Sequence, residues 1–357
     1  MERRKLEAQA RQGATEYATL VVETGGMKQK AAEDLGVSPR TLRSWAEHPG
    51  VIEPRGRPRV EPTAMQMARV NETLQWLGPK GGVPTLKCVH GEVTRRALTE
   101  IVREYRRRYI TEHGLTTEEL TWSVSGAVWT MDHTEIEVPA ADGERYALSV
   151  RDLGSGCQLL WEPVESPDAI STVRLLWGLF VKYGAPLVLK SDNGSAFIAW
   201  MTEALLRVWN VVHLLSPPRS PGYNGVVEVA MQWLKPRTEH AARRDGHADA
   251  LWPENFAHAC MIANEMTWSE RAGGKRPIDL WEARGAITDG KRRAFIDEVA
   301  INERALRQSL EGVPGKRALA KARRDAIRRA LIAHGFLRVR RRPITLHELA
   351  RKAANIR

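Results

Sequence analysis

The sequence has few cysteines and no long apolar run. Cys88, Cys157 and Cys260 are far apart, so they provide neither a disulfide framework nor a paired-cysteine metal motif, and we expect all three to be small core residues. Apolar runs such as 173–181 fall well short of the roughly 20 residues needed to cross a bilayer, and the first residues lead into no apolar signal segment. These absences predict a soluble, cytoplasmic protein, nucleoid-associated if it is bacterial, without a membrane partner.

Positive charge is in excess. The chain has 54 Lys and Arg against 43 Asp and Glu, a net charge of +11, and its pI is near 9.8. Such a balance favours a polyanionic partner, with nucleic acid first and an anionic membrane surface second. The length of 357 residues suits about two to four domains.

The N-terminal segment, residues 1–50, has apolar residues at helical spacing. Within it, Gly36 permits a tight turn, Ser38 can cap a helix and Pro39 suits a first helical position. This order predicts a helix-turn-helix unit. Its third helix would present four donors to a DNA major groove: Arg40, Thr41, Arg43 and Ser44. The alternative is a structural helical bundle with a solvated basic face.

Residues 51–60 form a predicted linker rich in Pro, Gly and Arg. Its Arg55 and Arg57 resemble the minor-groove hook of architectural chromatin proteins, although a merely basic linker fits the same residues. A second helical unit is predicted over 61–120, and its last helix sets apolar residues on one stripe among arginines. We expect this unit to be a second helix-turn-helix-like DNA-binding module, with a less clear turn.

After Thr121 the pattern changes from helical spacing to short strands. The predicted elements are strands at 128–138, 146–152 and 156–164, a helix at 167–183, a strand at 187–190, a helix at 196–209 and a strand at 211–215. The first three strands should form an antiparallel meander, and the remainder alternates β and α. Residues 121–245 therefore predict an α/β domain, a mixed sheet with helices on both faces.

The C-terminal region, residues 246–357, is predicted to be mainly helical and is basic. Arginine and lysine cluster at 316–324 and again at 338–342. Clusters of this kind hold DNA phosphates without reading sequence. We expect this region to add salt-dependent affinity for DNA.

Three carboxylates occupy positions that would hold them rigidly. Asp132 lies inside the first predicted strand of the α/β domain, Asp192 directly follows the strand at 187–190, and Glu228 falls early in a helix. A carboxylate at the end of an internal strand is costly unless it binds a partner. Hard oxygen ligands suit Mg²⁺, so these residues predict a magnesium site.

The contexts of these acids resemble the DDE superfamily of retroviral integrases and bacterial insertion-sequence transposases, over about 128–240. The second acid stands in Ser191-Asp-Asn-Gly194 and the third follows Ser220-Pro-Gly-Tyr-Asn224. Glu228 follows Asp192 by 36 positions, which leaves the 35 intervening residues that this family uses.

The resemblance implies a ribonuclease H-like core with a mixed five-stranded sheet, in which Asp132, Asp192 and Glu228 are catalytic and bind Mg²⁺, for which Mn²⁺ can substitute. It implies hydrolysis at element ends and attack of the freed 3′-OH on target DNA. Lys235 would face the DNA, and Asn224 would either cap a helix or contact DNA. Double-stranded DNA is the expected partner, and a homo-oligomer is expected on it.

Other readings stay open. Retroviral integrases also carry a His/Cys zinc module, whose pattern is missing among His48, Cys88 and His90, so we predict no zinc. A helix-turn-helix regulator that binds without cutting is one alternative function, and a ribonuclease H-like nuclease is another. The sequence does not reveal the element ends, the target preference, the cut-and-paste or replicative route, or whether an ATPase partner selects targets.

Overall fold

A computed structural model describes residues 2–48, 60–218, 223, 225–268 and 273–349. Arg55 and Arg57 of the predicted linker, and Asn224, lie outside the described residues. The chain forms two compact units, one comprising Met1–His113 with Thr345–Arg357 and the other Gly114–Ile344.

The first unit is built from helices with two separate cores. Its helices are α1 (Glu2–Glu23), α2 (Lys28–Asp34), α3 (Pro39–Glu47), α4 (Ala64–Leu77), α5 (Val83–Val89) and α6 (Arg95–Glu112). One core joins α1 to α3 around Ala31, Ala32 and Leu42, and the other joins α4 to α6 around Leu74, Leu86 and Leu98. Each set of three helices therefore buries its own apolar faces.

The third helix of each set begins in the same way. Before α3, Gly36 has φ +64°, a conformation that glycine adopts without strain, and Ser38 Oγ accepts a hydrogen bond from Thr41 N at 3.0 Å. Before α6, Thr94 Oγ1 accepts one from Ala97 N at 3.2 Å. Both side chains satisfy backbone donors that a helix N-terminus leaves unpaired.

The second unit contains a five-stranded sheet, a two-stranded ribbon and helices on both sheet faces. In chain order its elements are β1 (Thr116–Trp122), β2 (Val128–Glu135), β3 (Tyr146–Asp152), β4 (Gln158–Val164), α7 (Ala169–Tyr183), β5 (Val188–Ser191), α8 (Ser195–Ile198), α9 (Trp200–Val208), β6 (Val212–Leu215), α10 (Gly225–Arg244), α11 (Pro253–Glu265), α12 (Pro277–Glu282), α13 (Asp289–Gln308), α14 (Lys316–Ala333) and β7 (Leu337–Pro343).

The sheet has the order β4-β3-β2-β5-β6. β2, β3 and β4 pair antiparallel, while β5 lies parallel to β2 and β6 parallel to β5. This mixed five-stranded sheet is the ribonuclease H-like core that the resemblance implied. The predicted meander followed by β-α-β is confirmed.

Alternate residues of the strands bury opposite faces of the sheet. Leu148 and Val150 of β3 join a core with α7 and α9, whereas Ala147 joins one with α10 and α11. A third cluster packs α13 and α14 against β5 and β6 through residues such as Phe295 and Leu331. Residues 246–344 thus belong to the same compact unit as the sheet.

Some boundaries differ from the sequence predictions. The strand predicted at 128–138, which is β2, ends at Glu135 rather than at 138. The helix predicted at 196–209 is divided into α8 and α9, because Ala199 is extended with φ −62° and ψ +147°. The expectation that every cysteine is a core residue is wrong for Cys88, which is exposed. It lies two positions after buried Leu86 on α5, about 200° around the helix.

The C-terminal basic region is helical over α11 to α14, but Leu337–Pro343 forms a strand. β7 pairs antiparallel with β1, and Glu118 and Glu119 stand opposite Arg341 and Arg340. Opposite charges on facing strands favour this register. No helix of the described residues is both long and apolar enough to span a membrane.

Candidate active site

Two of the predicted acids lie at the same level of neighbouring parallel strands. Thr130 of β2 pairs with Lys190 of β5, and Asp132 and Asp192 each follow two residues later. Asp132 is still inside β2, opposite Ser149 of β3. Parallel strands end at the same edge of a sheet, so the register brings both carboxylates to that edge.

Glu228 approaches from the helix that covers this face. It lies in the first turn of α10, which packs on β2 and β3. Since Met131 points into the opposite core, alternation turns Asp132 toward the α10 side. Glu228 and Asp132 therefore face the same space.

Both of the other carboxylates act electrostatically on Asp132. Burial, followed by repulsion from Asp192 and, more weakly, from Glu228, raises the pKa of Asp132 to about 7, while a hydrogen bond with the His133 backbone opposes the rise. A carboxyl group whose pKa is raised in this way is buried beside other negative charge. A bound cation would favour its ionised form.

No group of three or more Asp, Glu, His or Cys side chains in the described part of the chain is close enough to hold one metal ion. The acids thus share an edge without closing into a ligand cage, as expected of carboxylates that repel one another. Their chemistry nevertheless fits a hard cation, because all three lie toward one edge of the sheet and offer carboxylate oxygens, which hard cations prefer. The residues therefore fit a divalent metal by donor type and charge.

The turn that carries Asp192 is held by short hydrogen bonds. Asp192 Oδ1 accepts from Gly194 N at 2.8 Å, and Asn193 Nδ2 donates to Ser216 O, just beyond β6, at 2.8 Å. Asn193 thus fastens the turn after β5 to the end of β6. These bonds fix the backbone beside the second acid.

His133 has a packing role beside the first acid. Its ring stacks on Phe197 with centroids 4.8 Å apart and planes 6° apart, and its Nε2 lies 3.5 Å from Thr172 Oγ1. Burial lowers its pKa to about 4, although Asp168 and Asp192 oppose this. The imidazole is therefore neutral near pH 7 and braces β2 against α8.

Sequence reasoning missed Lys190. This buried residue donates from Nζ to the carbonyl oxygen of Tyr223, and its Nζ stands 4.3 Å from the centroid of the Tyr223 ring. Burial lowers its pKa to about 8, while Glu228 opposes the shift. The signal in the sequence was a lysine at the end of the predicted strand 187–190, whose other three residues are apolar.

The predicted DNA-contact residues lie in both units. In the first unit, Arg40, Arg43 and Ser44 are exposed on α3, while the Thr41 hydroxyl is 2.7 Å from Ser38 Oγ. In the second unit, Lys235 is half-buried on α10, two helical turns after Glu228 and on the same flank.

Comparison with known proteins identifies the sheet region. Residues 124–221 match the family described as Integrase core domain. This part of the chain is an integrase core domain. The match includes Asp132 and Asp192 and ends before Glu228, and it supports a relationship of this part of the chain to the DDE integrase and transposase superfamily.

The curated relatives of this integrase core are retroviral. The chain is 26% identical over 250 residues to the Gag-Pol polyprotein of Koala retrovirus, covering 64% of this chain and 14% of that protein. It is 32% identical over 100 residues to the Gag-Pol polyprotein of Feline leukemia virus, covering 27% of this chain and 6% of that protein. The chain thus spans only a small part of the length of these relatives.

Solved structures with similarity to the chain include two integrases. The catalytic core domain of BIV integrase is 23% identical, with a TM-score of 0.36 and coverage of 44% of this chain and 94% of that chain. The simian T-cell lymphotropic virus intasome in complex with PP2A regulatory subunit B56 gamma is 14% identical, with a TM-score of 0.41 and coverage of 62% and 78%.

Proposed function

We propose that this protein is a DNA transposase or integrase that cleaves at the 3′ ends of a DNA element and joins them to target DNA. The observation that supports this most is the convergence of Asp132, Asp192 and Glu228 on one edge of an integrase core. Double-stranded DNA is the substrate, and the net charge of +11 favours its approach.

In this proposal, Asp132, Asp192 and Glu228 hold Mg²⁺, or Mn²⁺ in its place. The bound ion supplies Lewis-acid chemistry at the scissile phosphate and lowers the pKa of a bound water. Lys190 holds Tyr223 close to this edge, and Lys235 offers a cation to the DNA backbone from the same flank of α10 as Glu228.

The recognition of element ends is assigned to the first unit. Arg40, Arg43 and Ser44 on α3 are free to reach base edges or phosphates. Because two DNA ends have to be held together for joining, we propose a homo-oligomer on DNA.

Removal of single carboxylates tests the chemistry. Asp132→Asn, Asp192→Asn and Glu228→Gln should each lower Mg²⁺-dependent end cleavage and strand joining by a hundredfold or more, since several kcal/mol of charge stabilisation is at stake. The substrate is a duplex carrying the terminal repeats that flank the coding sequence. Binding of that duplex, measured without metal, should stay within about twofold.

Two exposed acids provide matched controls. Asp142→Asn and Glu254→Gln remove carboxylates that lie on the surface of the second unit, and both variants should cleave and join normally. Full strand transfer by any of the three site variants would contradict the assignment. Duplex binding without cleavage by the unaltered protein would favour a regulator instead.

A further inference from the structure

A groove runs along the flank of α10 that faces away from Glu228. It has a volume of about 540 Å³ and is lined by residues that include Arg151, Val226, Val229, Trp233, Arg237 and Thr267. Positions 226, 229 and 233 form one helical stripe, roughly 100–160° around α10 from Glu228. The same helix therefore bears the catalytic acid on one flank and this groove on the other.

The apolar wall of the groove is open to solvent. Val226, Val229 and Trp233 are 49%, 52% and 61% exposed, although the helix that carries them is otherwise anchored in the core. Trp233 presents a large planar ring, with the guanidinium of Arg237 5.9 Å from its centroid. An exposed ring with a neighbouring arginine is typical of surfaces that stack nucleobases.

Arg151, a β3 residue, lines the same groove. Its Nε is buried and has no hydrogen-bond partner. Burial lowers its pKa, an effect that Cys157 and Asp152 oppose and that Arg237 increases. A buried guanidinium nitrogen without an acceptor is costly, and a second arginine nearby adds to the cost, so the groove is suited to an anionic occupant.

We infer that this groove binds one unpaired nucleotide of a DNA strand, with its base stacked on Trp233 and its phosphate held by Arg151 and Arg237. A planar ring, two guanidinium groups and an apolar wall match the base, the phosphate and the sugar of one nucleotide. The inference rests on the proposed function, because it assumes that DNA lies along α10. An acidic peptide could satisfy the arginines but would not need the exposed ring.

A site-resolved crosslink tests the inference. The probe is a 20-base-pair duplex with a three-nucleotide single-stranded overhang that carries 5-iododeoxyuridine, mixed with the full chain in EDTA and irradiated. We expect mass spectrometry to place the crosslink on Trp233. Trp233→Phe should retain most of the affinity for the overhang, whereas Trp233→Ala and Arg151→Met should each lower it at least about fivefold relative to the blunt duplex.

Matched controls separate the groove from general DNA affinity. Trp200→Ala removes a tryptophan that is 78% exposed on α9, and Arg243→Met removes an exposed arginine from the far end of α10. Both should leave the preference for the overhang unchanged.

Several results would overturn the inference. These are a crosslink only at Trp200 or elsewhere, equal losses for blunt and overhang duplexes in the groove variants, or full displacement of the overhang by a short poly-glutamate peptide. All of these measurements are made without metal. If the groove does not bind the overhang, the result of the cleavage assay is unaffected. If the proposed function is wrong, the protein still binds the overhang but does not cleave DNA.

Discussion

At the scale of single residues, Asp132 illustrates the electrostatic cost of placing a carboxylate in this site. Its carboxyl pKa lies near 7 in the folded chain against 3.8 for the free group, so the folded state holds a proton that the unfolded state releases. This makes the folded state less stable as the pH rises from about 4 to 7. A bound divalent cation would reverse the effect by favouring the ionised form.

Asp132→Asn should therefore stabilise the metal-free protein, and more so at pH 8 than at pH 5. We expect a gain of about 1–3 kcal/mol at pH 8 after allowance for solvent screening. Urea unfolding in EDTA at the two pH values measures it, with Asp142→Asn as the exposed control. An equal gain in the free energy of unfolding at both pH values would show that loss of the buried, ionised carboxylate is not the cause.

Lys190 is a positioning residue, because it acts through Tyr223. Lys190→Met keeps the length of the side chain but removes the bond to the Tyr223 carbonyl, and should slow strand joining about tenfold or more. Single-turnover joining at saturating duplex measures the rate, and duplex affinity should not change. Lys182→Met is the matched control, since Lys182 stands 4.9 Å from the Tyr183 ring in the last turn of α7. A loss confined to duplex affinity would instead make Lys190 a DNA contact.

At the scale of elements, the β1–β7 ribbon ties the end of the second unit to its core. Leu337 is buried with Phe295 and Leu331 in the cluster of α13 and α14, while Leu120 on the partner strand is 44% exposed. Arg328 on α14 also bonds Glu118 of β1. The ribbon is thus anchored to the core through Leu337.

Leu337→Ala should lower the free energy of unfolding by about 2–4 kcal/mol, because it leaves a cavity in a buried cluster. The same change at Leu120 should cost less than about 1 kcal/mol. Denaturant unfolding of the two variants makes the comparison. Similar costs at both positions would mean that the ribbon is not anchored through Leu337.

At the scale of the whole molecule, the proposed function leads us to expect that the positive charge governs DNA affinity. Arginines and lysines occur on α3, α6, α14 and β7, and several are paired with acids, as Arg323 is with Glu303 at 2.7 Å. The affinity of the full chain for a duplex of arbitrary sequence should fall about 10³- to 10⁵-fold between 50 and 200 mM salt if six to ten phosphates are contacted. Fluorescence anisotropy across that range gives the slope, and a flat profile would exclude a mainly electrostatic mode.

The local patterns of the sequence were sufficient for much of this protein. The motifs around Asp192 and Glu228, the spacing between them and the change of hydrophobic period after Thr121 predicted an integrase core and the order of its strands along the chain, because these features depend on neighbours along the chain. The turn at Gly36 and the cap at Ser38 were predictable for the same reason. The domain limits at 50, 60, 120 and 245 stay predictions.

Only the tertiary structure decided what depends on contacts between distant segments. The sequence near Lys190 does not indicate Tyr223 as its partner. The basic run at 338–342 forms a strand by pairing with β1, more than 200 residues earlier, where glutamates face its arginines. The elevated pKa of Asp132 likewise arises first from burial in the folded chain and then from two acids elsewhere in the sequence, Asp192 and Glu228. The sequence by itself determined which three carboxylates to consider. The parallel register of β2 and β5 and the packing of α10 decided that they share one edge. Only the folded chain sets the distances on which the electrostatic interaction between them depends.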